Sequence, residues 1–264
     1  MKFNNLLKRE LKSISDNIRQ LDRKIVTIFL SVAILQTISW YFTSRRFFRE
    51  NLFDYVANYQ EPFLIEYLYW FVGDFLIFIL PSVILIKFFF KQPLSEYGFK
   101  VGNLNLGIKF TLLFLLIMIP IIWFISASSE FSYKYPHLST AKDSWNIFFI
   151  YEAGMFVYMI GWEFIWRGFL LFGLEKKFGF YSVFIQMIPF VILHNGKPFL
   201  ETLGAIPGGI ALGLLALRTR SFYYCVVVHL GVMYSIDIFS VLRYRANDYG
   251  VGLQSLFNII VSIF

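Results

Sequence analysis

The sequence has little cysteine and little charge. Cys225 is the single cysteine among 264 residues, which excludes an intramolecular disulfide and a cysteine-rich metal site. Charged residues make up 16% of the chain, whereas an ordinary soluble domain carries about a quarter. Phenylalanine occurs 33 times, far more than a water-exposed surface can accommodate. The composition therefore excludes an ordinary soluble globular protein.

The sequence instead contains long apolar runs. Hydrophobic residues account for 58% of the chain, and several runs reach the ~20 residues needed to cross a bilayer. They predict an all-α, polytopic transmembrane helical bundle of seven to eight spans. The predicted spans are residues 25–44, 63–90, 108–126, 145–173, 181–194, 202–217, 222–242 and 251–264. The fifth, sixth and eighth runs are short, so they are either packed inside the bundle or re-entrant.

Basic residues predict the orientation of the chain. The segment 1–24 is too long and too charged for a signal peptide, and its lysines and arginines place the N-terminus in the cytoplasm. Alternation then places Lys176 and Lys177 on the same side of the plasma membrane. The net charge is +7, and the basic residues lie in segments that flank the apolar runs. Their position indicates contact with lipid head groups rather than with nucleic acid. Residues 45–62 mix aromatic and charged side chains, as an interfacial helix does.

Ionisable residues inside apolar runs are costly and usually functional. Glu163 and Arg167 are four residues apart, so they share a helix face and form either a structural ion pair or part of a site. His194 ends an apolar run, and Glu201 begins the next run close enough to fold back toward it. His137 lies in a loop beside a proline, where we expect no role.

A second histidine, His229, lies about seven residues inside its apolar run, with Asp237 two turns further along. At ~1.5 Å per residue, ordinary helix tilts bring Glu163, His194 and His229 to one depth, nearer the cytoplasmic side. Glu163 would then act as a base on a water molecule that the imidazoles orient, or the imidazoles would stabilise an oxyanion. The same three residues could instead hold a zinc ion with an open position for water. A metal-free and a zinc mechanism both stay open.

Three motifs in this order resemble the CAAX-protease and bacteriocin-processing (CPBP, or Abi) family of intramembrane proteases. The family pattern is Glu-Glu-x-x-x-Arg, then Phe-x-x-x-His, then His-x-x-x-Asn. This sequence offers Trp162-Glu163-x-x-x-Arg167, then Phe190-x-x-x-His194, then His229. The resemblance implies an intramembrane endopeptidase that cleaves a membrane-associated or lipidated protein or peptide. It divides the chain into a basic segment 1–24, N-terminal spans 25–143, a CPBP-like catalytic core 144–242 and a short C-terminal helix 243–264.

The sequence departs from the family pattern at two positions. Trp162 stands where the family has its first glutamate, and Met233 stands where it has asparagine. Glu201 and Asp237 are reserve candidates for the missing polar groups. The departures favour a second hypothesis, a non-catalytic protein of the same fold that confers bacteriocin immunity or binds a partner. A proton-coupled transporter is a third hypothesis, but we find no inverted repeat of the kind such transporters show.

Overall fold

The computed structural model describes residues 2–261, and within that range it contains helices and no strand. The predicted all-α fold is confirmed. The α-helices are α1 (Lys2–Arg19), α2 (Arg23–Ile38), α3 (Arg45–Asn51), α4 (Phe53–Val56), α5 (Pro62–Ile84), α6 (Leu104–Ile125), α7 (Ser129–Lys134), α8 (Trp145–Glu163), α9 (Leu171–Phe178), α10 (Tyr181–Ile192), α11 (Phe199–Thr219), α12 (Tyr223–Ala246) and α13 (Leu253–Val261).

The predicted polytopic bundle is also confirmed. In residues 2–261, six helical segments are long and apolar enough to cross a membrane, and α10 is a shorter apolar helix. The six segments are Arg23–Asn51, Pro62–Phe89, Leu104–Ile125, Trp145–Phe178, Phe199–Thr219 and Tyr223–Ala246. The predicted eighth run contains α13, whose nine residues extend only ~13 Å. The last three residues of that run, 262–264, lie outside the described residues.

Polar residues at helix N-termini set where several helices begin. Asp22 accepts hydrogen bonds from two backbone N–H groups at the start of α2, and Asn103 caps α6 in the same way. Ser44 has extended backbone geometry and its hydroxyl accepts from the Phe47 amide, which starts α3 as a separate helix. Where an interfacial helix is expected over 45–62, the chain forms the two short helices α3 and α4.

Two sets of contacts define the two ends of the bundle. The N-terminal face, where α2 begins, is joined by the pairs Lys24–Gln92, Lys176–Glu96 and Arg220–Glu175. The opposite face is joined by Tyr67 to the His137 carbonyl, Lys134 to the Gly196 carbonyl and Arg245 to the Lys142 carbonyl. The spans alternate between these faces, as their order along the chain requires.

The segment Trp145–Phe178 is the centre of the bundle. In its most apolar stretch 83% of residues are buried, compared with 11% in Leu104–Ile125, which lies at the periphery. Gly161 permits the close packing of α8 on α5, because a Cβ atom there would come within 2.7 Å of the Phe75 Cα atom. Residues of this central segment are therefore shielded from lipid by other helices.

Candidate functional site

A π-helical segment in the central span carries the first part of the candidate site. Glu163 ends α8, and the seven residues Phe164–Leu170 that follow form π-helix and are all buried. Such insertions are rare in helices and are frequent at functional sites. Arg167 Nη1 donates to Glu163 Oε1 over 3.0 Å, and neither side chain is exposed. The central span therefore holds a fully buried ion pair.

His229 of α12 completes a chain of three polar groups. Its Nδ1 atom lies 2.6 Å from Glu163 Oε1, the oxygen that also accepts from Arg167. A carboxylate can only accept, so Nδ1 carries a hydrogen, and in the neutral form of the ring the lone pair lies on Nε2. The arrangement is that of a carboxylate that orients an imidazole. One oxygen of Glu163, Oε1, thus accepts two hydrogen bonds, whereas the other, Oε2, has no hydrogen-bond partner among the described residues.

A backbone carbonyl orients the His194 ring in the same way as Glu163 orients that of His229. The Nδ1 atom of His194 lies 2.7 Å from the carbonyl oxygen of Phe190, one turn earlier, so this ring also keeps its lone pair on Nε2. The centroids of the His194 and His229 rings are 6.4 Å apart, and the ring planes differ by 19°. Thr202 donates to the His194 carbonyl over 2.9 Å, which ties the start of α11 to this turn.

Phe190 packs against Arg167 and both histidines of the site. Its ring centroid is 4.4 Å from that of His194 and 5.7 Å from that of His229. The Arg167 guanidinium carbon lies 4.0 Å from the same ring. One aromatic ring therefore contacts the guanidinium and both imidazoles.

The site lies within the part of the chain that matches a known family. Residues 144–234 match the family model described as Type II CAAX prenyl endopeptidase Rce1-like. The resemblance to the CAAX proteases is confirmed. A search of the curated proteins and a search of the solved structures found no match.

Within the Rce1-like segment, Trp162 forms an aromatic wall of the site. Its ring lies 5.7 Å from Tyr158, 5.8 Å from Trp166 and 6.4 Å from Phe190, and the side chain is 8% exposed. The position where the family pattern has a glutamate is therefore filled by an indole that packs on the Phe190 ring.

The two reserve carboxylates lie in other surroundings. Glu201 Oε1 accepts from Lys197 over 2.6 Å, and its Oε2 accepts from the Tyr135 hydroxyl, so both oxygens are engaged near the opposite face. Asp237 is fully buried beside Glu152, a glutamate of α8 with only 7% exposure. Sequence reasoning missed Glu152, although its position inside an apolar run was the same signal that identified Glu163.

A zinc ion does not fit these donors. No group of three or more His, Cys, Asp or Glu side chains in residues 2–261 is placed to hold a metal ion. A catalytic zinc takes three protein ligands, and the three atoms that remain without a hydrogen bond, Glu163 Oε2 and the Nε2 atoms of His194 and His229, are not arranged as such a set. The chemistry considered below therefore uses the side chains of the Rce1-like segment alone.

A cleft of about 420 Å³ approaches the site from the opposite face. We call it the basic cleft. The cleft reaches from Arg45, Arg46 and Lys134 to Trp162 and Leu193, the chain neighbours of Glu163 and His194. Since α10 ends at Ile192, the turn that carries His194 continues to Gly196, whose carbonyl accepts from Lys134 at the end of α7.

Proposed function

We propose that the chain is an intramembrane endopeptidase that hydrolyses a peptide bond in a membrane-associated or lipidated protein or peptide. One observation carries the proposal: Arg167, Glu163 and His229 are hydrogen-bonded in series, and the His194 ring lies 6.4 Å beyond. The match of residues 144–234 to the Rce1-like model supports the same reaction class.

His229 suits the role of general base better than Glu163 does. Glu163 Oε1 already accepts hydrogen bonds from two donors, whereas His229 Nε2 has no hydrogen-bond partner among the described residues. Glu163 instead holds His229 in one tautomer and stabilises the imidazolium that forms, as the carboxylate of a catalytic triad does. Arg167 keeps Glu163 ionised for this purpose. The role expected for Glu163 from the sequence thus passes to its partner.

His194 positions the water. Both imidazoles present an Nε2 lone pair, and one water between them can donate one hydrogen to each within the ordinary reach of a hydrogen bond. His229 Nε2 takes one proton as the water oxygen attacks the carbonyl carbon of the scissile bond. The same proton then passes to the leaving nitrogen, and the C–N bond breaks. No external oxidant or reductant is required.

The test is cleavage of membrane and lipidated peptides by purified wild type and by the variants H229A, H194A and E163Q. Loss of a positioned general base or its orienting group reduces turnover by roughly 10²–10⁴. The variant E96Q is the matched control, because Glu96 forms an exposed ion pair with Lys176 on the N-terminal face. Folded H229A with wild-type turnover would overturn the proposal.

A binding role on the same fold is the second candidate, and the packing of Trp162 favours it. An indole in place of a carboxylate removes one group that could contact water or substrate. Under this alternative the purified chain cleaves none of the peptides, and folded H229A and H194A retain immunity or partner binding at the wild-type level.

A further inference from the structure

A second cavity adjoins the basic cleft. We call it the apolar groove. It has a volume of about 410 Å³ and lies between α2 and α10. Its walls include Phe29, Val32 and Ala33 of α2 and Ile185, Pro189 and Ile192 of α10. Along α2 it extends ~10 Å, from Phe29 to Gln36. An apolar groove between two spans is suited to a hydrocarbon chain.

The groove and the cleft are adjacent and share part of their walls. Gln36 and Leu193 line both. Gln36 is the polar residue at the junction, so its amide lies where the apolar surroundings end. From there the cleft leads to Ser44 and Arg45, at the end of the first span. A ligand that fills both parts must be apolar at one end and polar at the other.

The polar end of this combined site has an excess of positive charge. Arg45 and Arg49 share one carboxylate, Glu66, which is fully buried. Lys134 donates to a backbone carbonyl over 3.0 Å and not to an acid. Arg46 pairs with Glu50, but its side chain is 75% exposed.

Asp74, the carboxylate that lines the cleft, does not offset this charge toward a ligand. Its Oδ1 accepts from Ser39 over 2.7 Å and from Thr43, and its Oδ2 accepts from Trp70 over 2.8 Å. With three donors turned toward it, this carboxylate has both oxygens engaged, and within the described part of the chain it is the one acidic residue in a lining that also holds Arg45, Arg46 and Lys134.

We propose that the apolar groove and the basic cleft together form a binding site for one anionic phospholipid. An acyl chain lies in the groove, the ester region passes Gln36, and the anionic head group lies among Arg45, Arg46 and Lys134. The charge of the cleft and the apolar walls of the groove select this amphiphile over a neutral lipid. The lipid site lies beside the candidate catalytic residues, and Trp162 lines both, but the lipid proposal does not require that the chain hydrolyses peptides.

The experiment measures lipid retained by the purified full chain. The chain is reconstituted in vesicles of equal phosphatidylglycerol and phosphatidylcholine, extracted in mild detergent and examined by native mass spectrometry. Wild type should retain phosphatidylglycerol in preference to phosphatidylcholine. R46Q should weaken that retention about fivefold, the effect of one basic residue at a membrane surface. K177Q removes an equally exposed charge from the N-terminal face and should leave retention unchanged.

A second pair of variants tests the groove. A33W fills it and should reduce retention of both lipids, whereas I34W places the same side chain on the neighbouring exposed position outside the groove and should not. Equal retention of the two lipids by wild type, or equal retention by R46Q and K177Q, would overturn the proposal. If A33W does not fold, the charge variants decide alone, since Arg46 is largely exposed.

Discussion

Replacing Arg167 with methionine should destabilise the protein strongly, and a second substitution should reverse the damage. R167M leaves the Glu163 carboxylate fully buried with one remaining donor, His229. Breaking a buried ion pair by removing one partner costs ~3–5 kcal/mol. R167M also loses the contact between the guanidinium and the Phe190 ring, whose centroid lies 4.0 Å from the guanidinium carbon in the wild type. Because His229 still donates to Glu163, we expect a cost toward the lower end of that range.

The double variant E163Q/R167M separates the charge from the packing. Glutamine carries no charge, so most of the penalty in R167M should disappear although one more residue has changed. Thermal unfolding of the four proteins in one detergent, wild type, two single variants and the double variant, measures the coupling. If E163Q/R167M is no more stable than R167M, the penalty does not come from an unpaired carboxylate and the reasoning fails.

Three further outcomes are expected. G161A should cost ~1–3 kcal/mol in thermal unfolding, because its methyl group meets the α5 backbone, whereas G208A, with open space around it, should be neutral or slightly stabilising. Burial lowers the pKa of His137 from 6.5 to about 4, so the protein should lose stability as pH falls through that interval, and H137Q should lose less. A cysteine at Lys176 should resist impermeant labelling from outside intact cells, and the native Cys225 is buried and gives no background.

The sequence was sufficient to predict the bundle because membrane spans depend on composition over ~20 residues. A span can therefore be recognised without knowing which helices contact one another. The sequence also pointed to Glu163, His194 and His229 as candidate site residues, because each is an ionisable group in an apolar run and part of a motif, and their roles stay predictions. It predicted the pairing of Glu163 with Arg167, four residues further on, but not the partners of the two histidines. The hydrogen bond from His229 to Glu163 joins residues 66 positions apart, and only the packing of α12 on α8 creates it.

The same limit applies to the end of α10. Counting residues along α10 placed His194 at a suitable depth, but the count assumed that the apolar run continued as helix to that residue. The helix ends at Ile192, and the turn that follows contacts Lys134 at the end of α7. Where a helix ends inside a bundle depends on tertiary contacts, so hydropathy does not reveal it. Glu152 was missed for a different reason: its own run already contained Glu163.

His194 is the residue that best separates the two proposed functions. Glu163 and Arg167 neutralise each other in the core, so a protein without enzymatic activity would still require both for stability. The His194 side chain makes one hydrogen bond to a carbonyl and ring contacts with Phe190 and His229, which together account for only ~1–3 kcal/mol. H194A should therefore unfold within a few degrees of wild type, above R167M, while turnover falls by ~10² or more. A stable H194A with full cleavage activity would remove His194 from the mechanism. An H194A as unstable as R167M would show that its place in the motif is structural.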